Sequence, residues 1–376
     1  MKKSLIALAV LAAAGAASAQ SSVTLFGVVD VGVTSARGAG NGRVTSLNDS
    51  MNSSSRLGFR GVEDLGGGLS ASFWLEAGIN PDNGTGDATN VNNQNVAAFN
   101  AVTGAGAAVR PGSQGLTFNR RSTLSLAGGF GELRLGRDLT PSFQNFAAYD
   151  PFGTVGSGSS TNMLIGAGGG TAAAAALPTS VRASNGIAYY TPGNLGGFFG
   201  SALYAFGENA SNAAGGTADD GDTVSLRVGY AAGPFALSAG YLNTEYATGD
   251  YRQTNLGGSW DFGVAKLMTV VARDQIQAVG AGVGSRQSSW QIGTLVPFGA
   301  GEFKASYIRT NRANTNDDGS QLALGYVHNL SKRTAVYTTW ARVDNRGNGV
   351  AFSNGRAATT PGGNTTAIDL GLRHAF

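Results

Sequence analysis

The stretch Ser55–Ala77 reads SRLGFRGVEDLGGGLSASFWLEA. Leu57 and Phe59 fall on one phase of a two-residue period, and Arg56, Gly58 and Arg60 on the other. A polar, glycine-rich turn, Glu63-Asp64-Leu65-Gly66-Gly67-Gly68, reverses the chain. Leu69, Ala71, Phe73, Leu75 and Ala77 then share one face, with Ser70, Ser72, Trp74 and Glu76 on the other. Period-two alternation of this kind belongs to strands with one apolar and one wet face. A slip of one residue would send every side chain to the wrong face, so the pattern sets the register.

Working outward, the same unit recurs along the chain. Alternating segments fall at about 22–33, 54–62, 69–77, 116–127, 132–138, 182–191, 197–207 and 223–232. They continue at about 235–246, 251–262, 264–275, 286–297, 301–312, 319–328, 334–343 and 365–376. That makes sixteen, with fourteen and eighteen as the neighbouring even counts. Short turns centred on residues 65, 129, 194, 233, 263, 299 and 331 alternate with longer polar loops. The longest loops cover about 34–53, 79–115, 139–181 and 344–364. An even number of roughly ten-residue strands, short turns at one end and long loops at the other, is the pattern of an all-β, antiparallel transmembrane barrel. Aromatic residues near strand ends, among them Phe26, Phe199, Trp260, Trp290, Tyr307 and Tyr337, suit the membrane interfaces, although some can line the lumen.

The N-terminus and the composition fit this reading. Lys2 and Lys3 precede an apolar run from Leu5 to Ala17, and Ala17-Ser18-Ala19 offers a small-residue cleavage site. This is the form of a secretory signal, with cleavage expected between Ala19 and Gln20 and the barrel occupying 20–376. No later apolar run is long enough for a membrane helix. Mean hydropathy is near zero, as expected where lipid-facing and water-facing residues cancel. Cysteine is absent, and glycine (59) far exceeds proline (9). Without Lys2 and Lys3, 24 basic residues face 23 acidic ones, so global charge says little about partners. Of those 24, 21 are arginines, whose rigid and permanent charge tolerates confined sites.

By parity Arg56, Arg60 and Arg121 point into the lumen. Arg56 and Arg121 lie near mid-height, Arg60 lower, and Arg182 higher at the start of its strand. Glu76, on the strand between those of Arg56 and Arg121, is the expected acidic partner. Arg120 falls on the outward phase, where it is expected to snorkel to headgroups. Clustered charge in a narrow aqueous path with low-dielectric walls focuses its field on passing ions. The alternative for each arginine is a lumenal salt bridge without influence on permeation.

At this point the sequence resembles the sixteen-stranded, trimeric general porins of Gram-negative bacteria, closest to the β-proteobacterial branch. The resemblance rests on Ser22-Val23-Thr24-Leu25-Phe26-Gly27, Ser55-Arg56-Leu57-Gly58-Phe59-Arg60-Gly61, Asn119-Arg120-Arg121-Ser122-Thr123, Leu135-Gly136-Arg137-Asp138, Ser184-Asn185-Gly186-Ile187-Ala188-Tyr189 and Gly371-Leu372-Arg373-His374-Ala375-Phe376. It spans essentially the whole chain. It implies that the third outer loop, Leu139 to Val181, folds into the barrel and narrows it. It also implies that Arg56, Arg121 and Arg182 form a ladder at the constriction, and that the chain forms a homotrimer. The terminal Phe376 resembles the signal read by the barrel-assembly machinery. Asp150 is the single acid on the inserted loop, fewer than in many cation-preferring relatives, so the arginines are expected to favour anions. The implied activity is passive diffusion of small hydrophilic solutes across an outer membrane.

Other classes are less well supported. A hydrolytic barrel would need a histidine base. Only His328 and His374 exist, on different strands at the short-turn end. A substrate-specific channel, and an adhesin or structural barrel, remain open alternatives. Asp219-Asp220-Gly221-Asp222 and Asp317-Asp318-Gly319 read as turn chemistry, so no metal or cofactor is expected. No basic recognition motif points to nucleic acid.

Overall fold

The computed structural model describes residues 22–87, 89, 93–94, 113–164, 177–213, 217–247, 249–277, 285–313, 316–347 and 352–376. The expected cleavage site at Ala19 and Gln20 lies outside them. Sixteen strands form the wall: β1 (Ser22–Gly38), β3 (Arg56–Gly66), β4 (Leu69–Asn80), β7 (Arg121–Gly128), β8 (Gly131–Leu139), β9 (Arg182–Tyr190), β10 (Phe198–Ala205) and β11 (Thr223–Ala232). The circuit continues through β12 (Phe235–Thr244), β13 (Tyr251–Asp261), β14 (Lys266–Ile276), β15 (Ser285–Phe298), β16 (Gly301–Arg312), β17 (Gly319–Asn329), β18 (Thr334–Asn345) and β19 (Thr365–Ala375). Each pairs antiparallel with its neighbours, and β19 pairs back onto β1 from Val28↔Ala375 to Gly38↔Thr365. Closure leaves no free edge, which is what allows a sheet to cross hydrocarbon. Backbone bonds of 3.0 Å in both directions between Gly27 and Phe376 seal the seam.

The alternation partitions the wall as the sequence indicates. Leu25, Leu124, Val228, Leu256, Val271, Ile292 and Leu370 are exposed on the outer surface. Inward-pointing Gln253, Gln287, Gln291 and Gln321 are at most 1 % exposed, because the inserted loop covers them. Phe26, Phe199 and Tyr337 face inward. Trp290 and Tyr307 remain outside as a ring pair 5.4 Å apart.

Two elements depart from the sequence reading. β1 runs five residues past 33, and a return strand, β2 (Val44–Asp49), pairs with its upper part. The cause is geometric: β3 covers only Ser22–Val28, so the upper edge of β1 would otherwise be unpaired. Residues 116–120, expected in the fourth strand, precede β7 and lie outside it. In the second outer loop, β5 (Thr85–Asp87) and β6 (Ser113–Gln114) form a small pair. Asn93 and Gln94 in that loop bond to this chain's own Ser184, Phe206 and Gly207 carbonyls.

The third outer loop enters the barrel. Thr140 precedes a short helix, α1 (Pro141–Ala147), whose first position is a proline with preset φ. Phe146 and Tyr149 pack with Leu164, Val270 and Ala272. The loop's polar groups are met by the wall: Ser142 by Ser225 and Gln253, Asn145 by Asn255 and the Ser238 carbonyl, Ser157 by Asp369. Gln291, Gln287 and Gln321 donate to the carbonyls of Tyr149, Met163 and Gly158. Gly257 and Gly293 allow this approach, since a Cβ at either would collide with Tyr149 or Pro151. The loop therefore lies along the β11–β19 side and leaves the β3–β9 side open.

Candidate functional site

On the open side a space of about 430 Å³ remains between the inserted loop and the wall, and forms an aperture in the lumen. One rim is the loop: Leu139, Phe143, Ala147, Gly153, Thr154, Val155 and Val181. The other is Asn52, Ser53 and Ser54 of the first loop with Arg56, Arg120 and Arg182. Three guanidinium groups thus border the aperture, and no carboxylate is among the lining residues.

Arg56 and Arg120 share one acid just behind them. Glu76 Oε1 lies 2.6 Å from Arg120 Nε and 3.8 Å from Arg56 Nε. Trp74 Nε1 donates to the other carboxylate oxygen at 3.1 Å. Arg182 Nε donates to the Arg120 carbonyl at 3.0 Å, and Arg56 to the Ser54 carbonyl at 2.9 Å. Charge-assisted bonds, to backbone carbonyls for Arg56 and Arg182 and to Glu76 for Arg120, hold each guanidinium in one place. Three like charges on a single carboxylate leave a net positive rim.

Arg121 lies next to Glu76 in register but one step below the rim. It faces Asp138 at 3.4 Å and stacks over Trp74 at 4.7 Å. Arg134 joins Asp138 and Glu132 and lies 4.2 Å from the Tyr190 ring. Arg60 sits lower still, over Phe26 and Trp74 at 5.5 and 5.3 Å, and is exposed to the lumen. The structure therefore gathers Arg56, Arg182 and Glu76 at the aperture, with Arg121 and Arg60 descending beneath them.

Asp150 is on the loop, yet it is 4 % exposed and turned away from the aperture. Its carboxylate accepts from the N–H groups of Phe152, Ser160 and Thr154. Burial pushes this carboxyl above the ordinary range, against the pull of those N–H groups. The bonds hold a turn in which Thr154, a rim residue, has φ of 61°, a conformation that costs a β-branched residue energy.

Arg120 corrects the parity reading, which sends it to headgroups. The β7–β8 ladder starts only at Ser122↔Arg137, so strand alternation does not reach residue 120. Just before it, the Asn119 and Arg120 carbonyls accept from Arg137 and Arg182 side chains instead. With alternation broken, Arg120 and Arg121 both point inward. The signal available in the sequence is the pair itself, because two adjacent arginines fit a lipid-facing phase poorly.

Residues 5–348 match the family described as Gram-negative porin. The chain belongs to the Gram-negative porin family. Over the full length of both chains it is 40 % identical to outer membrane porin protein 32 of Delftia acidovorans and 31 % identical to an outer membrane porin protein of Bordetella pertussis. A solved structure, the anion-selective porin from Comamonas acidovorans, superposes with a TM-score of 0.78 at 36 % identity, covering 95 % of this chain and 100 % of that one. The porin described here is accordingly an outer-membrane channel, and the aperture between loop and wall lies in its lumen. His328 and His374 contact Tyr326 and Thr334 on the wall, away from the rim.

Proposed function

We propose that this porin passes small hydrophilic solutes and prefers anions, with Arg56, Arg120 and Arg182 setting the preference at the rim. The observation that carries the reading is the aperture's lining of three arginines and no carboxylate. Arg121 and Arg60 extend the positive path below, Glu76 limits the repulsion among the rim cations, and Asp150 acts by holding the loop's turn. A cation fixed beside a narrow path lowers the energy of a passing anion and raises that of a cation. The relative named as anion-selective supports the same sign. A planar-bilayer reversal potential under a salt gradient, comparing the parent with Arg56→Ala and Arg121→Ala, tests the roles. Both variants are expected to lose anion preference, Arg56→Ala more strongly, and unchanged selectivity would remove these residues from the account.

The remaining parts of the proposal concern assembly. The chain is exported through a signal cleaved between Ala19 and Gln20, residues 20–376 form the barrel, and three copies associate. The terminal Phe376 is the element presented to the barrel-assembly machinery; its backbone completes the seam with Gly27.

A further inference from the structure

The first-loop rim of the aperture is a second inserted segment. β2 ends at Asp49, opposite Val31, and β3 begins at Arg56, opposite Val28. The residues between them, Ser50 to Ser55, leave the plane of the wall and enter the lumen, where Met51 packs with Val327, Ala335 and Tyr337. The other five are four serines and an asparagine, so Met51 is the segment's sole apolar anchor. Hydrogen bonds supply the rest, and they converge on Asp30 of β1, which is fully buried. Its Oδ2 accepts from the N–H groups of Asn52 and Ser53 at 2.9 and 2.6 Å, and its Oδ1 from the Tyr337 hydroxyl. The Asp30 main chain bonds the Ser55 hydroxyl through both its N–H and its C=O, each at 3.0 Å, and the same carbonyl accepts from Ser50 N–H. These bonds satisfy the stretch of β1 edge that neither β2 nor β3 covers.

Two links join this anchor to the ion path. Arg56 Nη1 donates to the Ser54 carbonyl at 2.9 Å and lies 3.5 Å from the Ser53 hydroxyl, so its guanidinium is placed by the segment that Asp30 holds. The Met51 carbonyl lies against Gly156 of the third loop, whose φ is 69°; a Cβ at Gly156 would come within 2.2 Å of that oxygen. Beside Gly156, Ser157 bonds to Asp369 through its N–H and its hydroxyl. Thr34 Oγ1 lies 2.9 Å from both Asp369 Oδ1 and Met51 Sδ. The two rims of the aperture are therefore joined at one seam.

We propose that Asp30 is a positioning residue for permeation. Through Asn52 and Ser53 it draws the first-loop segment into the lumen, and so sets both the width of the aperture on that side and the place of the Arg56 charge. A carboxylate suits the task, because its bonds to two successive N–H groups are charge-assisted and its loss leaves both donors unsatisfied. The inference rests on the aperture being the ion path. Positioning and bare charge predict opposite signs. As a fixed lumenal charge alone, Asp30 would oppose anion passage, and its removal would raise anion preference. As an anchor, its removal frees Arg56 and the rim, and lowers that preference.

The test reads single-channel conductance and the zero-current potential in a KCl gradient for the assembled parent, Asp30→Ala, Asp30→Asn and Arg56→Ala. Asp30→Ala is expected to raise conductance and to lower the chloride-to-potassium ratio by up to about fivefold, the worth of one displaced rim charge. Asp30→Asn keeps an oxygen that accepts from both N–H groups, so it is expected to restore the parent's conductance with a ratio no lower than the parent's. Equal rises in the ratio for Ala and Asn at the parent's conductance would reduce Asp30 to a fixed charge and overturn the proposal. A ratio that falls in Arg56→Ala but not in Asp30→Ala would refute the anchor and leave the ion path standing. No change in either would remove the path, and the anchor with it. Should Asp30→Ala fail to fold, Tyr337→Phe is measured instead, since it loosens Asp30 without altering any charge. Raised conductance with a lowered ratio supports the anchor, and values equal to the parent's refute it.

Discussion

Replacing Arg120 with glutamine removes one of the three rim charges while leaving Glu76 beside Arg56. Its effect follows from the size of the opening. A space of about 430 Å³ has the volume of a sphere of about 4.7 Å radius, and a unit charge at that distance in water changes an ion's energy by about 0.9 kcal/mol. Screening at 0.1 M salt, with a Debye length of about 10 Å, reduces this to about 0.5 kcal/mol. Loss of the charge disfavours chloride and favours potassium by the same amount, so the chloride-to-potassium permeability ratio falls by about 1 kcal/mol, or about fivefold. The assay is the zero-current potential of the reconstituted channel between two KCl solutions. Arg342→Gln serves as the control: this residue is outward-facing and paired with Asp344, and its loss is expected to leave the ratio unchanged. A ratio in Arg120→Gln equal to the parent's would refute the placement of Arg120 in the lumen and the reasoning built on it.

Further perturbations act on the same parts. Glu76→Gln removes the carboxylate shared by Arg56 and Arg120 and is expected to raise the chloride-to-potassium ratio by a similar factor, read by the same potential. Phe146→Ala empties a site that is 1 % exposed between loop and wall; the anchoring lost is about 3–5 kcal/mol, and the expected signs are larger single-channel conductance and more open-channel noise. Phe376→Ala removes the ring lying against Gly27 at the seam and is expected to lower the yield of folded, heat-modifiable barrel on gels, with little change in the conductance of the channels that do assemble.

Legibility in the sequence follows the reach of two-residue periodicity. All sixteen wall strands are visible because lipid and water make opposite demands on alternate residues, as along Leu124 to Leu126 or Ile368 to Leu372. Where the period stops, the reading fails. Arg120 reads as outward when the fourth strand is begun at 116, whereas the strand starts at 121. β2 escapes notice because its residues, Val44–Asp49, are polar enough to pass for loop; what makes them a strand is the uncovered edge of β1. The inserted loop's aromatic and proline content marks it as packed. Its seating against Gly257 and Gly293 cannot be foreseen, because that contact joins segments about a hundred residues apart or more. Arg56 and Glu76 follow from parity and height and Arg182 from the family resemblance, and the structure brings the three close together. Asp150 is placed on the right loop, but its role there depends on backbone N–H groups that no side-chain pattern reveals.

The central claim is that fixed guanidinium charge at the aperture decides which ions pass. The most direct measurement is the sign of the parent channel's reversal potential in a KCl gradient, taken at 0.1 M and again near 1 M mean salt. The account predicts the sign of chloride selectivity, weakening as the Debye length shortens from about 10 Å to about 3 Å. A potential of zero, or one of the sign set by potassium, would contradict it.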